Sequence, residues 1–339
     1  MRDQQDEQFP LPEHLTNERG EVRRLGVELE FAGVELGQAA RIIMGLYGGT
    51  HYADSHFEHR VAGTRWGDFV IEIDAAMLKD RTYIEYLKKL GFELDQEWQL
   101  RLDDILARIA GTVVPHEIAC PPVPMTEAGE LEKLRRALSE HSALGTRASP
   151  LYAFGLHLNP EVPRADGGTA LAYLRAYLLL EDWLKVRSRI DFARQVVPFI
   201  NDFPEAYVRQ VVDPDYRPGL RQLMRDYLDA NPTRNRPLDM LPLFAHLDGD
   251  WLFRQLPPNT LVRPRPTLHY RLPNCAIDEP DWTLAEEWRG WLAVEQLAHD
   301  PQAMEELGRR YLAQHRETLT GVDERWAHEL SLWQNATTP

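Results

Sequence analysis

Glu28 and Glu30 stand two residues apart in the stretch Arg24-Leu25-Gly26-Val27-Glu28-Leu29-Glu30-Phe31. At a strand's period of two, Leu25, Val27, Leu29 and Phe31 share one face, and Arg24, Gly26, Glu28 and Glu30 the other. The two carboxylates then lie about 6.5 Å apart on a half-buried strand. At an effective dielectric of about 20 they repel by about 2–3 kcal/mol. A strand tolerates such a pair in open water or holds it with a divalent cation, and the spacing alone leaves both options standing.

Other segments carry side chains of the same kind. A hairpin is expected from His56 to Val61, a turn at Ala62-Gly63-Thr64, and a second arm from Trp66 to Asp74 with Asp68, Glu72 and Asp74 on one side. Thr112 to Cys120 reads as a strand bearing Glu117 and stopped by Pro121-Pro122-Val123-Pro124. Leu151 to Asn159 offers His157 and Asn159, and Thr267 to Leu272 offers His269 and Arg271. None of these strand segments contains a lysine. Carboxylates with a histidine suit Mg²⁺ or Mn²⁺, and arginines on the same face suit phosphate or carboxylate. Taken singly, each residue has a plainer reading: Asp74 as a turn former, His157 as a histidine beside a core, Cys120 as packing. His51, His56 and His59 are spaced loosely like metal ligands, but the hairpin is expected to scatter them.

Helices must back these strands. Leu36 to Tyr47 is amphipathic, with Ala39, Ile42, Ile43 and Leu46 as its stripe and Gly48-Gly49 as its stop. Further helices are expected over Thr82 to Leu90, Gln96 to Ile109, Glu127 to Glu140, Thr169 to about Val196, Glu205 to Leu228, and from Thr283 onward. Pro232 to Pro266 is proline-rich with little periodicity and reads as ordered loop around short elements. Irregular crossovers between the strands point to an α+β class, an antiparallel or mixed sheet backed by helices.

Composition sets the outer limits. The 339 residues, 43% apolar with nine tryptophans, are ample for a folded core. A net charge of −15 argues against nucleic acid or an anionic membrane as the main partner. The two cysteines, Cys120 and Cys275, lie outside any Cys-x-x-Cys pattern and fit a reducing compartment. The start lacks the apolar core of a signal peptide, and the most apolar helix candidate, Ala170 to Leu184, is interrupted by Arg175, Glu181 and Asp182. A cytoplasmic protein is expected.

Five motifs in order resemble the amidoligase family of the glutamine synthetase and γ-glutamylcysteine synthetase type. They are Gly26-Val27-Glu28-Leu29-Glu30-Phe31, the Trp66–Asp74 strand, Glu117-Ile118-Ala119-Cys120-Pro121-Pro122, Gly155-Leu156-His157-Leu158-Asn159 and the Arg263–Arg271 segment. The resemblance covers roughly residues 22 to 273. It implies a curved antiparallel sheet of glutamine synthetase-like type over residues 21–275, after an N-terminal arm (1–20) and before a helical extension (276–339) packed on it.

The same resemblance implies ATP and Mg²⁺ (or Mn²⁺) as cofactors. Glu28, Glu30, Glu117 and His157 would be metal ligands, and Asp74 a further ligand or a supporting group. Arg271 would neutralise transferred phosphate, and Arg263 or Arg265 would hold phosphate or the substrate carboxylate. Arg24, Asn159 and His269 would face the cofactor. The implied reaction joins an acid to an amine through an acyl phosphate, on small molecules, peptides or a protein substrate, with Asp68 or Glu72 as candidate base. One departure stands out: where the family carries Glu-x-Arg, this chain has His269-Tyr270-Arg271. A neutral imidazole serves Mn²⁺ adequately and Mg²⁺ poorly. A metal-dependent phosphohydrolase and a non-catalytic nucleotide-binding or interaction protein are the rival readings.

Overall fold

The strand carrying Glu28 and Glu30, β1 (Arg24–Phe31), buries Leu25, Val27, Leu29 and Phe31 almost completely and leaves both glutamates half-buried on the other face. The computed structural model describes residues 9–73, 115–148, 154–190, 201–231, 235–258, 260–317 and 322–337. Among them, nine strands form one open antiparallel sheet accompanied by nine α-helices. The expected Thr82–Leu90 and Gln96–Ile109 helices lie outside the described residues.

The sheet runs β2 (Thr50–Ala53), β3 (Glu58–Thr64), β4 (Gly67–Ile73), β5 (His116–Ala119), β1, β7 (Leu156–Pro160), β9 (His269–Tyr270) and β8 (Leu238–Asp239), with β6 (Val123–Pro124) pairing β1. β1 is therefore paired along both edges. Its register sets Glu30 opposite Glu117 of β5 and Glu28 opposite His157 of β7. Across the next ladder Glu72 of β4 faces Glu117, and Glu58 of β3 faces Glu72. Side chains alternate along a strand, so these acidic residues share one face. Val61, Phe69, Ile71, Ile118, Leu156, Leu158 and Tyr270 are buried on the other.

Helices cover that apolar face. α1 (Leu36–Tyr47) packs on β3 and β4 through Leu36, Ala39, Ala40 and Ile43, a stripe rotated from the expected one, with Leu46 38% exposed. It stops at Gly48 and Gly49, both at positive φ; a side chain at Gly49 would strike the Ala62 carbonyl. α2 (Leu131–Glu140) follows a 3₁₀ turn, where one continuous helix was expected. α3 (Gly167–Arg187) is capped by Asp166, whose carboxylate accepts from the Thr169 amide, and is buried on several sides. It packs against α7 (Leu284–Ala298) and α9 (Val322–Thr337), while Tyr270 of β9 meets Tyr177 of α3 and Trp291 of α7.

Elsewhere the outline shifts. The β3–β4 turn falls at Arg65-Trp66, not at residues 62–64, because Gly63 at positive φ sits in an irregular stretch of the β3 pairing before the chain reverses. β2 went unforeseen because Thr50–Ala53 is largely exposed and shows no alternation. The single helix expected over Glu205–Leu228 is two, α4 (Glu205–Val212) and α5 (Leu220–Ala230), separated by a segment with Pro214 and Pro218. The proline-rich stretch read as loop contains α6 (Leu241–Leu252), helical on either side of a kink at Asp248, whose Pro242 occupies the first turn, where a missing amide hydrogen costs nothing. α8 (Pro301–Glu317) lies between α7 and α9 in the chain.

The segment expected as a loose arm makes specific contacts from residue 9 onward. Phe9 stacks on Trp288, and the Trp288 indole donates to the Pro10 carbonyl. Arg23, just before β1, pairs with Glu295 of α7 through two hydrogen bonds of 2.6 and 2.9 Å, both side chains almost fully buried. No helix among the described residues is long and apolar enough to cross a membrane.

Candidate metal centre

Four strands bring their polar faces together where β5, β1, β7 and β9 lie side by side. Glu28, His157 and His269 form one three-residue group and Glu30, Glu117 and His157 another; within each, the ligand atoms lie within 4.8 Å of one another. His157 belongs to both, with Nδ1 2.8 Å from Glu28 Oε2 and Nε2 3.4 Å from Glu30 Oε1.

Each carboxylate is held by groups the sheet supplies. Asn159 Nδ2 donates to Glu28 Oε1 at 2.8 Å, and the Gly155 amide donates to Glu30 Oε2 at 2.6 Å. Asn159 can come so close because its strand partner is Gly26; a Cβ there would approach Asn159 Cβ to 3.2 Å. Burial opposes charge on Glu28, but the neighbouring His269 and the hydrogen-bonded His157 outweigh it and hold the carboxyl well below its ordinary value. Burial, followed by the neighbouring Arg271, pushes the His269 imidazole down to about 4 against the pull of Glu28. The ring is thus neutral at physiological pH, the state a metal requires of a histidine. Cys120 is buried, and burial together with the nearby carboxylates of Glu28 and Glu117 pushes its thiol up, so it packs without reacting.

Arg271 reaches the edge of this group. Its Nη2 lies 3.1 Å from His269 Nδ1 and 3.4 Å from Asp239 Oδ2. Asp239, paired with His269 in the β8–β9 ladder, is fully buried and also accepts from the Leu241 amide. Its part here could not be foreseen, since its neighbours show no periodicity and β8 is two residues long. The Gly155 amide was equally hidden, because a backbone donor leaves no mark in residue type.

The expected site residues divide into three sets. Glu28, Glu30, Glu117 and His157 converge, with Asn159, His269 and Arg271 adjoining them. Arg24, Arg263 and Arg265 are exposed, and Arg24 Nη1 donates to the Pro122 carbonyl; among the described residues no hydrogen bond or ion pair ties these three to the cluster. Asp74 lies outside the described residues. Of the two candidate bases, Asp68 is engaged at the β3–β4 hairpin by Arg60 and the Gly63 amide, whereas Glu72 stands directly across from Glu117. The hairpin does not scatter all three of its histidines: His51 Nε2 and His59 Nδ1 approach to 3.2 Å, while His56 is exposed.

The donor set suits a divalent cation. Glu30, Glu117 and His157 offer two oxygens and one nitrogen; Glu28, His157 and His269 offer one oxygen and two nitrogens. His269 Nε2 is buried without a hydrogen-bond partner, 3.4 Å from Glu28 Oε2. A cation would fill the gap between that nitrogen and the carboxylate in the tautomer that turns the Nε2 lone pair toward Glu28. Because a neutral imidazole has one free lone pair, His157 can serve one of the two groups at a time.

Comparison with known proteins gives one family. A family model described as "Putative amidoligase enzyme" matches residues 21–293, from just before β1 into α7. No curated protein and no solved structure matches the chain.

Proposed function

Because the chain belongs to the amidoligase family, we propose that it is an ATP- and divalent-metal-dependent ligase joining a carboxylic acid to an amine on a glutamine synthetase-like sheet. The observation that carries this reading is the pair of ligand groups sharing His157 on the polar face of β1, β5, β7 and β9. When bound, metal–ATP supplies the phosphoryl group that converts an unreactive carboxylate into an acyl phosphate open to attack by an amine.

The chain's own residues have the following work. Glu28, Glu30, Glu117, His157 and His269 hold cations and fix the orientation of what those cations carry. Arg271, steadied by Asp239, meets the negative charge of a transferred phosphate, the planar guanidinium suiting its oxygens. Glu72, beside Glu117, accepts a proton from the ammonium of the second substrate. Arg263 and Arg265, exposed on the segment before β9, grip the acid substrate's carboxylate or the nucleotide phosphates. The substrates are small molecules, peptides or the side chains of another protein.

The test is ADP release with Mn²⁺ or Mg²⁺ against a panel of paired acids and amines, with mass spectrometry of the product. The reading requires ADP release that depends on both acid and amine, and a product heavier by their condensation. Phosphate release from ATP alone would instead mark a phosphohydrolase. Thermal stabilisation by nucleotide without turnover in any mixture would mark a binding protein.

A further inference from the structure

The nitrogens of His269 face different neighbours. Nε2 is buried, without a hydrogen-bond partner, and 3.4 Å from Glu28 Oε2. Nδ1 lies 3.1 Å from Arg271 Nη2. A guanidinium can only donate, so Nδ1 supplies the lone pair and the ring's proton sits on Nε2. Ligation through Nε2 requires the opposite tautomer, which would place an N–H on Nδ1 against the N–H groups of Arg271. The two roles of His269 therefore exclude each other.

We propose that His269 trades Arg271 for a first-row transition cation: it joins Glu28 and His157 as a ligand through Nε2, prefers the Mn²⁺ to Zn²⁺ class over Mg²⁺, and releases Arg271 to an anion. The inference rests on the ligase reading above and specifies its cation. The preference follows from the donors, because two imidazoles and one carboxylate suit manganese, iron or zinc, whereas Mg²⁺ takes oxygens and parts reluctantly with its water. The step balances without acid or base, since the imidazole is neutral before and after and its proton moves from Nε2 to Nδ1 through solvent. Arg271 keeps Asp239 Oδ2 at 3.4 Å as an anchor while its guanidinium turns away from the ring. Cation and anion binding then reinforce each other, each by the same factor.

The test uses the full chain and direct binding. Mn²⁺ is titrated by the loss of its free-ion EPR signal, Mg²⁺ by competition, and the bound Mn²⁺ is examined by pulsed EPR for nitrogen coupling. Wild type should prefer Mn²⁺ by about tenfold or more and show coupling from two imidazoles; losing even an outer partner of a metal site costs about tenfold. His269→Glu should narrow the preference and reduce the coupling to one imidazole. His269→Gln, which keeps a neutral partner for Arg271, should weaken Mn²⁺ about tenfold or more and serves if the Glu variant fails to fold. Tight binding of both ions by wild type, with ratio and coupling unchanged in the variants, would overturn the role of His269 and leave a cation site standing. A wild-type chain that binds neither ion, with or without ADP, would overturn this inference and the ligase reading together.

Discussion

Glu28→Gln separates what Glu28 does for the fold from the cation-binding role proposed for it. In wild type, Oε1 accepts from Asn159 Nδ2 and Oε2 from His157 Nδ1, both at 2.8 Å. A glutamine can turn its carbonyl to Asn159 and its amide to His157, whose other nitrogen then donates to Glu30 Oε1, 3.4 Å away. The bonds to Asn159 and His157 are kept, but both lose their charge and the amide takes the place of the oxygen 3.4 Å from His269 Nε2, at a cost of about 1–3 kcal/mol. Because the folded state holds the Glu28 carboxyl below its ordinary value, this stabilisation is complete above pH 4.5 and is lost as pH falls through the lower, folded value. Urea unfolding in a chelating buffer should therefore show the glutamine variant less stable at pH 7 and the gap closing below pH 4.5. In the same variant, Mn²⁺ should no longer raise the melting temperature. Glu28→Leu should cost more, since it strands both donors, at about 1–3 kcal/mol each. Equal stability of wild type and Glu28→Gln at neutral pH, a gap unchanged in acid, or undiminished Mn²⁺ stabilisation would refute the reasoning.

Glu30→Ala should abolish ATP turnover while circular dichroism stays native, because β1 is held by backbone ladders along both edges and not by this carboxylate; unchanged turnover would refute its role. Arg23→Met should cost about 3–5 kcal/mol, leaving Glu295 a charge buried away from its partner, and a shift of the urea midpoint of that size checks it. Glu287 is buried against Ser188 and Trp282, and burial pushes its carboxyl up to about 7. The folded state then holds that proton longer than the unfolded chain, so stability falls as pH rises from 4.5 towards about 7. Glu287→Gln should remove that slope, making the variant the more stable chain at pH 8 and equal to wild type in acid, as read by melting curves.

How far the sequence reaches is clearest along β1. Strict alternation fixed both its buried face and the direction of Glu28 and Glu30, and a one-residue error would have reversed every side chain. β7 was equally open to reading, since Leu156 and Leu158 bracket His157. What alternation cannot give is pairing: nothing local in Glu117 says that it stands across from Glu30. Shorter elements were harder still. β8 and β9 have two residues each, too few for a period, so Asp239 and its hold on Arg271 stayed hidden. α6 escapes the pattern because Pro242 stands in its first turn, where proline does not break a helix, and the hydrophobic stripe of α1 turns because Ala40 closes the core and Leu46 is exposed. The arginines divide for a related reason. Arg271 is placed by a ladder, whereas Arg263 and Arg265 lie on a segment without regular structure, where neither direction nor partner follows from spacing.

β1 is the earliest of the described strands and sits in the interior of the finished sheet, between partners that lie far ahead of it in the chain. From Glu28 to His269 the chain runs 269 − 28 = 241 residues. Closing so long a loop comes late and slowly in folding. The Glu30, Glu117 and His157 group is therefore complete once residue 157 has been made, whereas the Glu28, His157 and His269 group waits for the arrival of β9.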